Sequence, residues 1–237
     1  MKFLENSKLE YFSSILSTET SEYRLETRLE SYSCKMVGQD KRLFKGFLQA
    51  EGPGSTAKDL QALSPPVVEG AWMMFPKNLS PSNSSDPEMD IDVVPILCDT
   101  VSRATLFNLI ATLNTSFPDY DFTDAKGENF SKVPSLDFVT PCVDSKLAAV
   151  VDSYNKIKHQ MWGIMDEEIQ LKECIIYTYH PDYHSDPYSE DGCTWSFNYF
   201  FYNKKLKRIL FFTCRALSVR ALNSSGDDYS NEWRMDE

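Results

Sequence analysis

The residue types that most often do chemistry in proteins are concentrated in one short segment, between residues 180 and 186. His180 and His184 lie there beside Asp182 and Asp186, and such a set could bind a metal ion or transfer protons to a substrate. A proline follows directly after His180 and another after Asp186, and they exclude the helix that usually brings histidines four residues apart onto one face. We interpret the segment as a polar surface loop without a metal, and a hydrolase built on His180 or His184 is the alternative.

Other catalytic signatures are missing from the sequence. It has no G-x-S-x-G nucleophile motif, no phosphate-binding P-loop and no G-x-G-x-x-G dinucleotide motif. The carboxylates Asp166, Glu167 and Glu168 are consecutive, so on a helix they point apart instead of toward one substrate. The six cysteines are scattered without a C-x-x-C pair, and we interpret them as free buried thiols. We therefore predict a protein that is not an enzyme and that binds no cofactor.

The net charge of −11 limits the partners that the chain can bind. An acidic surface keeps a protein in solution or attracts basic partners, whereas nucleic-acid binding needs clustered lysine and arginine. One basic cluster is present, and it consists of Lys204, Lys205, Lys207 and Arg208. It is typical of a solvated hairpin turn, and a nuclear import signal, a partner contact or direct DNA binding are the alternatives. The chain has neither an apolar leader nor a run of 18 apolar residues, so we expect an intracellular protein without a membrane span.

Residues 51–99 differ in composition from the rest of the chain. They hold seven of the twelve prolines and eight acidic residues against two lysines, which predicts a disordered acidic linker. Its candidate phosphorylation sites are Ser64, Ser80, Ser84 and Ser85. The first two precede prolines and the last two precede acidic residues, and each phosphate would add a charge of about −1.5 to −2. The apolar run from Trp72 to Phe75 interrupts the linker as either a docking motif or a packing patch.

Two long aromatic strands are predicted between residues 195 and 214, and they must position the polar loop and the basic cluster. Residues 195–214 alternate apolar side chains on both faces, around the basic turn in their middle. The signature residues on one face of the first strand are Trp195, Phe197, Tyr199 and Phe201. Strands that are apolar on both faces lie centrally in a sheet that is covered on both sides. We therefore predict that this hairpin forms the core of the fold.

Weaker periodicities place the other elements around that hairpin. Helices are predicted near residues 7–16, 40–49, 100–117 and 155–170, and strands near 20–33 and 173–179. The predicted class is α/β (α+β), with one globular domain whose mainly antiparallel sheet of four to five strands packs with helices. Strand 20–33 could not stay folded alone, so both halves of the chain must join in one domain. The predicted divisions are a first half at 1–50, the linker at 51–99, a second half at 100–217 and a polar acidic tail at 218–237.

Three parts of the chain resemble the conserved segments of one protein family. They are Met1–Ser7 together with Glu30–Met36, then Pro118–Phe122, and finally Trp195–Arg208. In the same order they resemble the boxes of the Maf-type repressors of RNA polymerase III transcription, and the resemblance covers residues 1–48 and 99–217. It implies one α/β domain in which the first box folds with the other two, with a phosphorylated linker between them.

The resemblance also implies a function and partners. It implies a negative regulator that binds the clamp region of RNA polymerase III and blocks recruitment of the TFIIB-related initiation factor. Nutrient-sensing kinases of the TOR class and phosphatases would act on the linker, and the protein would shuttle between nucleus and cytoplasm. We hypothesise that an acidic loop meets a basic polymerase surface, and its candidate residues are Asp182, Asp186, Glu190 and Asp191. A monomer is the default state, and a small-molecule-sensing α/β domain is the alternative function.

Overall fold

Six antiparallel strands form the main sheet of the molecule. A computed structural model describes residues 1–50, 52–66, 99–181 and 186–224. In chain order the strands are β1 (Lys2–Leu4), β2 (Tyr23–Ser33), β3 (Leu60–Ala62), β4 (Thr100–Ser102), β5 (Phe130–Val133), β6 (Ile175–Tyr179), β7 (Cys193–Asn203) and β8 (Arg208–Ser218). The order across the main sheet is β1-β2-β8-β7-β6-β5, and β3 pairs with β4. The predicted class is confirmed, and the sheet has six strands instead of four to five because β1 and β5 add short edge strands.

The aromatic hairpin predicted from the sequence is formed by β7 and β8 at the centre of the sheet. Among the four signature residues, Phe197 and Phe201 are buried and the other two are partly exposed. On the opposite face the rings of Phe200 and Phe211 lie 4.6 Å apart between centroids, and both are fully buried. β8 also pairs along its whole length with β2, which joins the first half of the chain to the second.

Helices cover both faces of the sheet. They are α1 (Ser7–Leu16), α2 (Gly38–Ala50), α3 (Arg103–Ser116), α4 (Leu136–Ala148), α5 (Tyr154–Ile169) and α6 (Val219–Ser224). α1, α4 and α5 pack on one face, where Val143 and Met161 are buried, and α3 packs on the other through Leu109. α2 lies on α3, and the rings of Phe47 and Phe107 are 5.7 Å apart. The central strands are apolar on both faces because both faces are removed from water.

Helix α1 also closes the exposed edge of β2. β1 pairs with only the last three residues of β2, and among the described residues no other strand pairs along the rest of that edge, where Arg24 forms an isolated bridge to Glu19. Two serine hydroxyls of the α1 region replace the missing partner. The N–H of Leu29 donates to Ser13 Oγ at 2.8 Å, and the N–H of Thr27 donates to Ser17 Oγ at 3.0 Å. The edge is therefore blocked against pairing with another chain.

The prediction that residues 51–99 are disordered is wrong for residues 52–66. β3 pairs with β4 across the two ends of the predicted linker, and Leu63 behind it is buried. Ser64 then forms a parallel bridge to Ser131 of β5. Average composition hides these ordered ends because the acidic residues are concentrated further along the segment. Both ends of the linker are therefore anchored beside the edge strand β5.

Four parts of the predicted divisions lie outside the described residues. They are residue 51 and residues 67–98 of the linker, residues 182–185 of the second half and residues 225–237 of the tail. The start of the predicted tail belongs to the domain, because Ser218 ends β8 and α6 follows directly.

Candidate partner-binding surfaces

Arg215 in β8 is the centre of a charge network that joins distant parts of the chain. Only 11 % of its side chain is exposed, and its guanidinium donates to Glu26 of β2 at 2.5 Å and to Glu190 at 2.7 Å. A third bond goes to the carbonyl oxygen of Pro187. Burial alone would lower the pKa of Arg215, but the hydrogen bonds and charges of the two carboxylates raise it above its usual value. The charged guanidinium therefore ties the loop before β7 to the sheet.

Phe117 connects this network to the turn that follows α3. Its ring lies beneath two guanidinium groups, with Arg28 at 4.7 Å and Arg215 at 5.9 Å from the ring centroid. Cation–π attraction favours this arrangement. Three residues later, the hydroxyl of Tyr120 donates to the carboxylate of Glu190. The turn after α3 and the loop before β7 therefore meet at one place on the surface.

Four exposed carboxylates lie beside this meeting point. We define the acidic face as Asp119, Asp121, Glu190 and Asp191. The two aspartates of the turn flank Tyr120, and the two acids of the loop are consecutive. The side-chain hydroxyl and the backbone N–H of Thr123 both donate to Asp121, and these bonds lower the pKa of that carboxyl. Asp121 is therefore ionised at neutral pH, and the acidic face presents negative charge on a packed aromatic base.

The residues predicted for an acidic contact loop have different positions. Glu190 and Asp191 are exposed and belong to the acidic face. The prediction that Asp186 offers an exposed contact is wrong, because the residue is only 5 % exposed. Its carboxylate accepts two backbone N–H bonds within its own turn, at 2.8 and 3.1 Å, and buried N–H groups need such an acceptor. Asp182 and His184 lie outside the described residues.

The basic turn between β7 and β8 is held from within by Asn203. The buried side-chain oxygen of Asn203 accepts two backbone N–H bonds of the turn, both at 3.0 Å. Lys205 pairs with Glu173 at 2.5 Å, and Arg208 pairs with Glu168 at 3.1 Å. The two remaining lysines of the turn are exposed. The turn is therefore an ordered part of the hairpin that presents part of its positive charge to solvent.

Of the predicted phosphorylation sites, Ser64 is the one within the described residues. Its hydroxyl donates to the carbonyl oxygen of Glu128 at 2.5 Å, and its own carbonyl accepts from Ser131 Oγ at 2.9 Å. Ser64 is half-buried, and its backbone forms the bridge to Ser131 of β5. Outside the described residues lie Ser80, Ser84, Ser85 and the apolar run 72–75.

His180 lies at the edge of the sheet, where it contacts Ser131 of β5. Its Nε2 and the Oγ of Ser131 share a hydrogen bond of 2.5 Å, and burial lowers the pKa of the imidazole. Ser131 Oγ also lies 2.9 Å from the carbonyl oxygens of Ser64 and Pro65. This group therefore holds the start of the linker on the sheet edge.

The described residues contain no cluster of three or more His, Cys, Asp or Glu side chains that could hold a metal ion. Burial raises the pKa of Cys34, Cys174 and Cys214 to about 12, so these thiols are protonated at neutral pH. The described cysteines are free, but the prediction that they are buried holds only for Cys214. The other four are partly exposed, and they are Cys34, Cys142, Cys174 and Cys193. No helix in the described ranges is both long and apolar enough to cross a membrane.

The sequence analysis did not predict three residues that form or hold the acidic face, namely Asp119, Asp121 and Arg215. The two aspartates alternate with Tyr120 and Phe122 in the turn after α3. In such a pattern the aromatic rings pack against the domain and the carboxylates point to solvent. Arg215 is a charged residue in an otherwise apolar strand, and such a position requires an acidic partner. The register places Glu26 directly opposite Arg215, so the signal becomes readable once the pairing of β2 with β8 is known.

Comparisons with known proteins give a consistent result. The model of a family described as Maf1 regulator matches residues 25–213. A Dictyostelium discoideum protein named repressor of RNA polymerase III transcription is 37 % identical, with 96 % of this chain and 89 % of that protein covered. A Schizosaccharomyces pombe protein named repressor of RNA polymerase III transcription maf1 is 33 % identical over the same shares. A crystal structure of citrus MAF1 is similar at a TM-score of 0.59 and 29 % identity, covering 89 % of this chain and 98 % of that one.

Proposed function

Since the chain belongs to the Maf1 regulator family, we propose that it represses transcription by RNA polymerase III. The observation that carries this proposal is similarity over 96 % of the chain to a relative named as a repressor of RNA polymerase III transcription. The match spans nearly the whole domain, so it includes the acidic face as well as the aromatic core. The relatives are named as repressors and not as enzymes, which supports a function that depends on binding.

The proposed mechanism is occupancy of the polymerase. The acidic face would dock on a basic surface of the clamp region, where the bound repressor would exclude the TFIIB-related initiation factor. Complementary charge speeds association and orients docking more than it adds affinity. The rigid attachment of the acidic face supports this mechanism, because Arg215 and Tyr120 hold Glu190 in place before any partner binds.

Phosphorylation of the linker would weaken this contact. Phosphates on Ser64 and Ser80 would together add a charge of about −3 to −4 beside an already acidic protein. Nutrient-sensing kinases would thereby release the repressor, and phosphatases would restore it. A protein with both serines replaced by aspartate should bind polymerase less tightly than the corresponding double alanine variant. Equal binding by the two variants would contradict control through these serines.

Movement between nucleus and cytoplasm is part of the same proposal. The exposed Lys204 and Lys207 offer positive charge to an import receptor, whereas Lys205 and Arg208 are paired with acids of the domain. Replacing Lys204 and Lys207 by glutamine should therefore reduce nuclear accumulation without unfolding the hairpin. Unchanged nuclear accumulation of a folded variant would remove the turn as an import signal.

The acidic face can be tested by neutralising charges that do not hold the fold. Asp119, Asp121 and Asp191 changed to asparagine remove three charges, and asparagine at Asp121 still accepts the bonds from Thr123. We expect polymerase binding to weaken about 10-fold, since exposed ion pairs contribute about 0.2–1 kcal/mol each. The effect should shrink at high salt, because salt screens exposed charges.

A matched control removes the same charge from another side of the domain. It carries Glu10→Gln, Asp152→Asn and Glu167→Gln, all exposed positions on or next to α1 and α5. The control should bind polymerase as the unchanged protein does. Equal weakening of both variants would mean that net charge, and not the acidic face, determines binding.

A further inference from the structure

Helix α2 presents positive charge to solvent on the outside of the domain. We define the basic face as Lys41, Arg42 and Lys45, which are all exposed. Lys45 is four residues from Lys41 and three from Arg42, so the three side chains are neighbours on one side of the helix. The only carboxylate of α2, Asp40, is bound to the amino group of Met1 at 2.8 Å. None of the ion pairs within the described parts of the chain includes a cation of the basic face, which can therefore attract an anionic partner.

Exposed apolar side chains border the basic face. Leu43 follows Arg42 directly and is 58 % exposed, and Val37, just before α2, is 64 % exposed. The aromatic residues of α2 pack inward instead, and the ring of Phe44 lies 5.0 Å from that of Phe107 in α3 between centroids. The outward surface of α2 therefore combines three cations with two apolar side chains.

These features favour an acidic protein segment over other anions. Nucleic-acid binding draws on many phosphate contacts, whereas the basic face has three cations on a chain whose net charge is −11. A helix that lies on a membrane buries its apolar side in the bilayer, but that side of α2 packs on α3. A protein segment needs only a few carboxylates and an apolar residue to match what α2 presents.

We propose that α2 binds an acidic segment of a partner protein. Carboxylates three or four residues apart on that segment would accept hydrogen bonds from the basic face, and an apolar residue beside them would cover Leu43. This site is distinct from the acidic face, because α2 contacts α3 at Phe107, whereas the acidic face begins after Ser116, about 14 Å further along that helix. The proposal goes beyond repression of RNA polymerase III and does not depend on it.

Fluorescence anisotropy with the full chain tests the proposal on a defined probe. The probe is a fluorescein-labelled peptide in which glutamate and leucine recur at helical spacing. We expect saturable binding that weakens at high salt. Neutralising the basic face should weaken this binding about 10-fold, because three exposed ion pairs are lost. The changes are Lys41→Gln, Arg42→Gln and Lys45→Gln in one protein.

A matched control removes the same charge from other parts of the surface. It carries Lys126→Gln, Lys156→Gln and Lys172→Gln, all at exposed positions outside α2. The control should bind the probe as the unchanged protein does. Equal weakening of the two triple variants would overturn the proposal, because net charge alone would then explain the binding.

The apolar part of the site has its own pair of variants. Leu43→Gln should weaken binding about fivefold, because a leucine of the probe loses its apolar contact. Phe138→Gln should leave the affinity unchanged, since Phe138 is 49 % exposed on α4, across the sheet from α2. Equal affinities of these two variants would overturn the proposed combination of charge with an apolar contact.

Two further probes test for a different occupant of the basic face. They are a single-stranded RNA of the same length as the peptide and vesicles that contain phosphatidylserine. Tighter binding of either probe than of the peptide, lost when the basic face is neutralised, would overturn the acidic segment in favour of a nucleic acid or a membrane. A peptide that shows no saturable binding to the unchanged protein would also overturn the proposal.

Discussion

Arg215 should be the charged residue whose loss costs most stability. Its guanidinium bonds to carboxylates from β2 and from the loop before β7, and it also contacts the ring of Phe117. Replacing it by methionine preserves much of the side-chain volume and removes the charge. Glu26 and Glu190 would then lose the guanidinium that joins them and keep their own charges. The loop that carries half of the acidic face would lose its attachment to the sheet.

The size of the effect follows from the exposure of the two acids. Breaking a fully buried ion pair costs about 3–5 kcal/mol. Glu26 and Glu190 are 31 % and 40 % exposed, so water can solvate both once the arginine is gone. We therefore expect Arg215→Met to lower the free energy of unfolding by about 2–3 kcal/mol and the Tm by about 4–12 °C.

Urea unfolding followed by tryptophan fluorescence measures this change. Arg24→Met is the matched control, because Arg24 lies 3.8 Å from the same Glu26 but has a side chain that is 53 % exposed. The control should lose less than about 0.5 kcal/mol. Equal losses in the two variants, or no loss in Arg215→Met, would refute the view that this network holds the loop on the sheet.

Three further predictions concern the core and the sheet edge. Phe201→Ala should lower the free energy of unfolding by about 3–5 kcal/mol, because the ring is fully buried. Trp195→Ala should lower it by less, because Trp195 is partly exposed. Calorimetry that gives the larger loss for Trp195→Ala would contradict this prediction. Ser131→Ala should accelerate phosphorylation of Ser64 by a proline-directed kinase, because the backbone at Ser64 loses its hydrogen bond from the Ser131 hydroxyl. An unchanged rate would show that this bond does not limit the access of the kinase to Ser64. The lowered pKa of His180 means that the unfolded chain binds its proton first, so stability should fall as the pH drops below about 6.5. His180→Asn should flatten that part of the stability curve, and an identical curve would place the titrating group elsewhere.

The central hairpin could be predicted from the sequence because its pattern has only one physical solution. Alternating apolar residues on both faces of two strands require cover on both sides, and the structure provides it with α3 on one face and α1, α4 and α5 on the other. The strand over residues 20–33 was equally readable, since Leu25 and Leu29 alternate with charged residues. Its place in the sheet formed by the second half of the chain followed from the need of a lone strand for neighbours, whereas its pairing with β8 is known only from the structure.

The sequence predicted only half of the acidic face, Glu190 and Asp191, because the whole face depends on contacts between distant segments. Asp186 and Glu190 are four residues apart in one acidic loop, yet one is buried to hold a turn and the other is bound by Arg215 and Tyr120. The sequence analysis assigned both residues to the same acidic contact loop. The order of residues 52–66 was missed for a similar reason, since three residues of β3 contribute little to an average over a proline-rich stretch.

Repression by occupancy is tested most directly by transcription of a tRNA gene with purified RNA polymerase III and its initiation factors. The protein is added either before or after the polymerase meets the TFIIB-related factor. Occupancy predicts strong repression when the protein is added first and weak repression when it is added last, with both effects reduced by neutralising the acidic face. Full transcription under every order of addition, with polymerase and protein both intact, would contradict the proposed function.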